Sequence, residues 1–272
     1  MSIIEGIAQA VGLLGRLWRH ASGALALTGF LGAAIAFAVV NHDLGRLGWL
    51  CLAYLAAGLM AQGALLRTVY GAADRSLEPG LAGFQWGAVE WRLLGVVALR
   101  AMLFGLLGAL LVTLFMAVYI GIASAEAGPG FAAATPERWR RTLDPIGWTV
   151  VSTIVLAGGA GLAWVGLRLF VAPAATVARS RVQLLSTWAM TRGHVLPTLA
   201  MAAVILAPAA AVVVLWAVAR VLTHDGLGDP RAVTGAVGAA LSFSHAFLSL
   251  PLSVGLMSYL YGRLHAPDVG AT

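Results

Sequence analysis

Six stretches of predominantly apolar residues, each at least as long as the roughly 20 residues a helix needs to cross a bilayer, divide the chain between arginine-bearing connections. They cover approximately residues 21–40, 48–66, 93–123, 146–171, 197–222 and 233–264. No run alternates apolar and polar residues over ten positions as a spanning strand would. Backbone amides in lipid must be satisfied within their own segment, so the pattern predicts an all-α polytopic transmembrane bundle of about six spans. The third and sixth stretches exceed the bilayer thickness, which predicts tilt or ends that extend into water. Only 10% of the 272 residues are charged and 60% are hydrophobic. A water-soluble domain carries roughly a quarter charged residues, so this chain could not cover a solvated surface.

Residue types that are missing close several function classes. All basic residues are arginine, which excludes Schiff-base enzymes, retinal proteins and lysine-dependent P-loops. The single cysteine, Cys51, excludes an intrachain disulfide, a CxxC redox pair and cysteine-ligated zinc or iron–sulfur clusters. No two of His20, His42, His194, His224, His245 and His265 have the i, i+4 spacing of a metal-binding helix, and neither metal, haem nor other cofactor is expected.

Orientation follows from arginine in the short connections. With the N-terminus inside, Arg16, Arg19, Arg67, Arg75, Arg92, Arg179, Arg181, Arg192 and Arg263 fall on the cytoplasmic side. Arg46, Arg138, Arg140, Arg141 and Arg231 fall outside, offset by Glu126, Glu137, Asp144, Asp225 and Asp229. Both termini are therefore expected in the cytoplasm, and the pI near 10.4 reflects arginines facing an anionic leaflet rather than nucleic acid. The arginine-only composition, rich in alanine, glycine and valine, points to a GC-rich bacterial source.

Residues 1–20 read as a separate amphipathic helix, with Ile3, Ile4, Ile7, Val11, Leu14 and Trp18 on one face and Glu5, Gln9, Arg16 and Arg19 elsewhere. Such a helix either lies in the headgroup plane or packs on the cytoplasmic side of the bundle. Residues 21–264 form the six-helix domain and 265–272 a cytoplasmic tail. The connections after spans two and four share an order of parts, and each is expected to hold a short amphipathic helix at the inner surface. In each, an arginine closes a span (Arg67, Arg168) and another opens the next about 25 residues later (Arg92, Arg192), with Trp86 or Trp188 upstream. From residue 183 to 194, Leu184, Leu185, Trp188 and Thr191 form the expected stripe.

Ionisable groups inside spans are the default functional candidates. Arg220 and Arg168 lie near span ends, where snorkelling explains them. Arg100, about two turns into span three, needs a partner, because an isolated buried charge costs several kcal/mol. A Glu90–Arg168 pair is a candidate structural clamp. His245 among Ser242, Ser244 and Ser249 reads as a hydrogen-bonded packing group, since no acid or GxSxG elbow completes a hydrolase site. Gly158-Gly159-Ala160-Gly161 reads as a helix-packing surface, and Pro208 and Pro251 as bends or gates. No span carries an acid near its centre, which weakens an ion-coupled transporter.

Four segments carry a family resemblance: Phe84-Gln85-Trp86-Gly87-Ala88-Val89-Glu90-Trp91-Arg92, residues 168–173, Ser186-Thr187-Trp188-Ala189-Met190-Thr191-Arg192-Gly193, and Tyr259-Leu260-Tyr261. Through them the chain resembles bacterial six-helix inner-membrane proteins related to the membrane domain attached to glycerophosphodiester phosphodiesterases. The resemblance implies no catalysis, because the phosphodiesterase chemistry of those fusions resides in a separate soluble domain. The expectation is a non-enzymatic membrane protein that binds anionic lipid or a protein partner through Arg92, Arg100, Arg168, Arg179, Arg181 and Arg192. A homo-oligomer is equally compatible with the sequence. The alternative is a transporter or lipid flippase with a cavity near Arg100.

Overall fold

The computed structural model describes residues 2–71, 80–127, 143–222 and 229–265. Among them the chain is helical without strands. The order is α1 (Ile3–Val40), α2 (Leu44–Tyr70), a 3-10 turn (Leu81–Gly83), α3 (Ala88–Ala127), α4 (Pro145–Arg168), α5 (Ala172–Ala178), α6 (Ser186–Met190), α7 (Val195–Leu222), α8 (Pro230–Ser244), a π turn (His245–Ser249) and α9 (Leu250–His265). Six helical stretches are long and apolar enough to cross a membrane, matching the six read from the sequence: Ile3–Val40, Leu44–Tyr70, Leu81–Ala125, Pro145–Ala178, Val195–Ala219 and Arg231–His265. Their outer faces carry large apolar side chains such as Phe30, Met102, Leu156 and Leu215, an arrangement suited to lipid and not to water. Asp74, Arg75, Pro79, Glu137, Arg138, Arg140, Arg141, His224, Asp225 and the tail beyond His265 lie outside the described residues, as do the side chains of Glu126 and Arg220.

Local chemistry sets the helix starts. The Ser2 hydroxyl accepts from the Glu5 amide, Asp43 from Arg46, Asp144 from Gly147 and Asp229 from Arg231, each satisfying a first-turn N–H that has no helical partner. Pro145 and Pro230 occupy first positions, where proline lacks nothing the helix requires.

The chain divides into two compact units, Met1–Val96 with Arg168–Thr272, and Val97–Leu167. In the second, Tyr119, Ala123, Leu143 and Val151 form a small core with Phe115 and Ile122 against it. Of the glycine run expected to pack helices, Gly158 does so: Leu111 fills the space its side chain would take, while Gly159 and Gly161 face open space.

In the first unit, α1 packs against α2, α8 and α9 along its length. Residues 1–20 are not a separate helix: α1 runs unbroken from Ile3 to Val40. The packing face is also not the large-apolar one. Gly6, Ala10, Leu17, Ala21 and Ala24 are buried, whereas Ile4 and Val11 are exposed. Small residues let backbones approach, and Ala10 sits against Gly255 of α9, where an added Cβ would meet the Ala10 Cβ at 2.8 Å. Ile4 and Val11 then face outward, as they would toward lipid, while Leu17 and Leu25 stay in the contact.

The connection after α4 holds two short helices. In α5, outside the 183–194 stretch, residues 172–177 are all buried, so it is inserted into the unit. Helix α6, Ser186–Met190, falls within the expected stretch but is shorter, with Thr187 buried; of the residues flanking it, Leu184 and Thr191 are buried and Leu185 is exposed. In the connection after α2, the described part holds the 3-10 turn, where Ala82 and Gly83 adopt left-handed φ of 51° and 82°.

Both intramembrane prolines sit where a neighbouring side chain holds a backbone carbonyl. Pro251 has no N–H to give the carbonyl four residues earlier, and that carbonyl, of Phe247, accepts from Trp18 Nε1 at 2.7 Å. The Ile205 carbonyl, in the turn disturbed by Pro208, accepts from Ser249 Oγ at 2.8 Å. Both proline-bearing helices are thus tied to a neighbouring helix near the proline.

Candidate functional site

Buried polar side chains of the first unit include Arg67 at the end of α2, Glu90 at the start of α3, and Thr176, Gln183, Thr187 and Thr191 of the α4–α7 connection. At the start of α3, Glu90 stands in the third helical position and its Oε2 accepts from the Gly87 amide at 2.8 Å, the reach-back half of a capping box. The same oxygen takes Arg67 Nη2 at 2.5 Å. Both side chains are buried, at 3% and 0% exposure. The carboxyl group also lies over Gly63, where any Cβ would collide with Oε1. Glu90 is thus fixed by a guanidinium, a backbone amide and a bare stretch of α2.

This corrects the expected Glu90–Arg168 clamp. Arg67, in the last turn of α2, occupies the carboxylate. Arg168 instead donates from Nη1 to the Trp188 carbonyl at 3.0 Å, with its guanidinium carbon 5.0 Å from the Trp188 ring centroid.

The two connections share a register. Arg67 meets Glu90 across 23 residues, and Arg168 offers its carbonyl to the buried Thr191 hydroxyl, at 3.1 Å, across the same 23. The contacts differ in kind: the Arg67 guanidinium meets a carboxylate at the start of α3, whereas the Arg168 backbone carbonyl accepts from a hydroxyl just after α6.

The second connection is held on a compact polar frame. Thr176 Oγ1 accepts from the Gln183 amide at 3.0 Å and lies 3.4 Å from the Gln183 carbonyl. Ser186 Oγ donates to Gln183 Oε1, and Thr187 Oγ1 to the Leu184 carbonyl at 2.6 Å. Ser180 and Gly193 turn the chain at φ of 53° and 80°. On this frame Arg181 and Arg192 are exposed and Arg179 is half-buried. Arg179 Nε donates to the Tyr261 hydroxyl at 3.3 Å, and its Nη2 lies 3.2 Å from His265 Nδ1. Among the described residues no carboxylate lies within ion-pair distance of Arg92, Arg179, Arg181 or Arg192. Residues 169–195 contain no acid in any case.

The structure therefore brings Arg168, Arg179, Arg181 and Arg192 onto one connection of the first unit, with the partly buried Arg92 on α3 of the same unit. Arg100 belongs to the second unit, where it is partly buried on α3. Glu5, the other described acid of the N-terminal end, is engaged by Arg263 at 3.1 Å. His245 is exposed at the start of the π turn and does not pack between helices. Ser242 and Ser249 give their hydroxyls to the backbone carbonyls of Gly238 and Ile205.

Sequence reasoning missed Arg67 and Gly63 as members of the buried pair. The available signal was their spacing of four on α2, which places both on one helical face, together with a glutamate in capping position. Thr176 and Gln183 carried no comparable signal, since their pairing depends on the intervening turn. Comparison with known proteins finds no matching family model, curated protein or solved structure.

Proposed function

We propose that this chain is a non-enzymatic multi-pass protein of a bacterial cytoplasmic membrane, with both termini inside, that binds anionic lipid headgroups through Arg179, Arg181 and Arg192. Arg92 and Arg168 flank the face. One observation carries the reading: arginines presented on a hydrogen-bonded frame, in a connection devoid of acids. Guanidinium groups match phosphate oxygens in bidentate geometry, and a basic residue near an anionic leaflet contributes about 1 kcal/mol. The family resemblance of the tryptophan- and arginine-bearing motifs agrees with a lipid-associated role. The transporter alternative draws no support from the proline helices, whose bends are tied by Trp18 and Ser249.

The test is a titration of detergent-solubilised protein with phosphatidylglycerol and, separately, phosphatidylcholine. The proposal expects preferential binding of phosphatidylglycerol that weakens with added salt and is lost in the Arg179→Gln, Arg181→Gln, Arg192→Gln triple variant. Equal binding of both lipids, or an unchanged triple variant, overturns it.

A further inference from the structure

We propose a second lipid site: a groove beside the π turn that holds one acyl chain of a glycerophospholipid. The groove has a volume of about 460 Å³, is open along one side and is lined by Trp18 of α1 with Phe243, Ser244, Phe247 and Leu248. It is assigned by its construction, its position along α1 and its apolar wall.

The groove is built in advance of any ligand. A π turn inserts an extra residue into the helix and bulges it. Here Trp18 Nε1 holds the Phe247 carbonyl at 2.7 Å and Ser249 Oγ holds Ile205 of α7 at 2.8 Å, so the bulge is pinned on two sides. Phe243 is fixed in turn against Phe30, with ring centroids 5.1 Å apart, and against Gly29.

Position gives the occupant. Arg16, Arg19 and His20 are exposed on α1, and from Ala21 to Val40 the helix carries no ionisable residue. Trp18 thus stands at the boundary between charged and apolar surface, the level at which tryptophan belts and lipid glycerol groups meet. Phe243, by its contacts with Gly29 and Phe30, lies deeper in the apolar stretch. The groove runs from that boundary inward, the path of a chain hanging from its glycerol, and it is continuous with the exposed apolar surface at Leu248 and Phe30. The wall of the groove is almost wholly apolar, with Ser244 Oγ buried behind its surface, as suits a hydrocarbon chain and not a polar headgroup.

The experiment reconstitutes the full chain in vesicles containing phosphatidylcholine with a diazirine-bearing acyl chain, irradiates, and maps adducts by mass spectrometry. Adducts should concentrate on Trp18 and residues 243–248 and fall several-fold with excess unlabelled phosphatidylcholine. They should also fall several-fold when the groove is filled by Ser244→Phe or, from its exposed rim, by Leu248→Trp. Because the probe is zwitterionic, the Arg179/Arg181/Arg192 glutamine variant should label as the unaltered protein does, so this site and the headgroup site succeed or fail separately. Adducts spread over exposed apolar faces, around Leu106 and Leu215 as much as at the groove, would show only boundary lipid and overturn the proposal. Groove adducts unmoved in a folded Leu248→Trp variant would overturn it as well.

Discussion

Arg67 Nη2 and Glu90 Oε2 meet at 2.5 Å inside the protein, where neither side chain has appreciable contact with the surroundings. The pair joins the end of α2 to the start of α3, and the same carboxylate caps α3 through Gly87. Removing one member strands a buried charge, whereas removing both does not. Arg67→Met should therefore destabilise by about 3 kcal/mol or more, and Arg67→Met with Glu90→Leu should recover much of that loss. Denaturant unfolding in detergent micelles reads both. A double variant as unstable as the sum of its singles would contradict the pairing.

Gly63 is where α2 makes room for that carboxylate. Gly63→Ala pushes a methyl into Glu90 Oε1 and should cost about 1–3 kcal/mol. Gly12→Ala, on α1 with open space around it, should be neutral or slightly stabilising through helix propensity. Thermal midpoints of the two variants measured side by side separate local collision from a general intolerance of alanine.

The proline bends make a different prediction. Trp18→Phe and Ser249→Ala each withdraw a donor from a helix carbonyl and should cost about 1 kcal/mol apiece. They should also raise amide hydrogen exchange locally, around the π turn for both. Exchange unchanged at residues 245–252 would mean the turn does not depend on these cross-helix ties.

The six spans were legible because hydropathy over twenty residues is set by the bilayer itself and needs no tertiary information. Packing faces were less so. Ile4 and Val11 drew the eye as a hydrophobic face, yet in a chain with apolar surface on all sides the small residues Gly6 and Ala10 mark the contact. The arginines of the α4–α7 connection were found by charge alone, but the frame beneath them rests on Thr176, Gln183 and Thr191, whose partners are set by turns at Ser180 and Gly193. Glu90 was recognised as half of an ion pair and matched to Arg168. Arg67, one turn beyond Gly63 on the same face of α2, holds it instead.

For the arginine face, the expected effect is additive at about 1 kcal/mol per charge near the membrane surface. Single glutamine substitutions at Arg179, Arg181 or Arg192 should each weaken phosphatidylglycerol binding several-fold, and the triple variant on the order of 100-fold. Arg46→Gln should leave binding unchanged. It sits in the first turn of α2, exposed and paired with the N-cap Asp43.

The most direct measurement is native mass spectrometry of the protein taken straight from its own membrane, without added lipid. The account predicts retained mass corresponding to anionic phospholipid, present in the unaltered protein and lost in the Arg179→Gln, Arg181→Gln, Arg192→Gln variant. Retention of the same anionic lipid by that variant, or a stoichiometric protein partner with no anionic phospholipid, would contradict it.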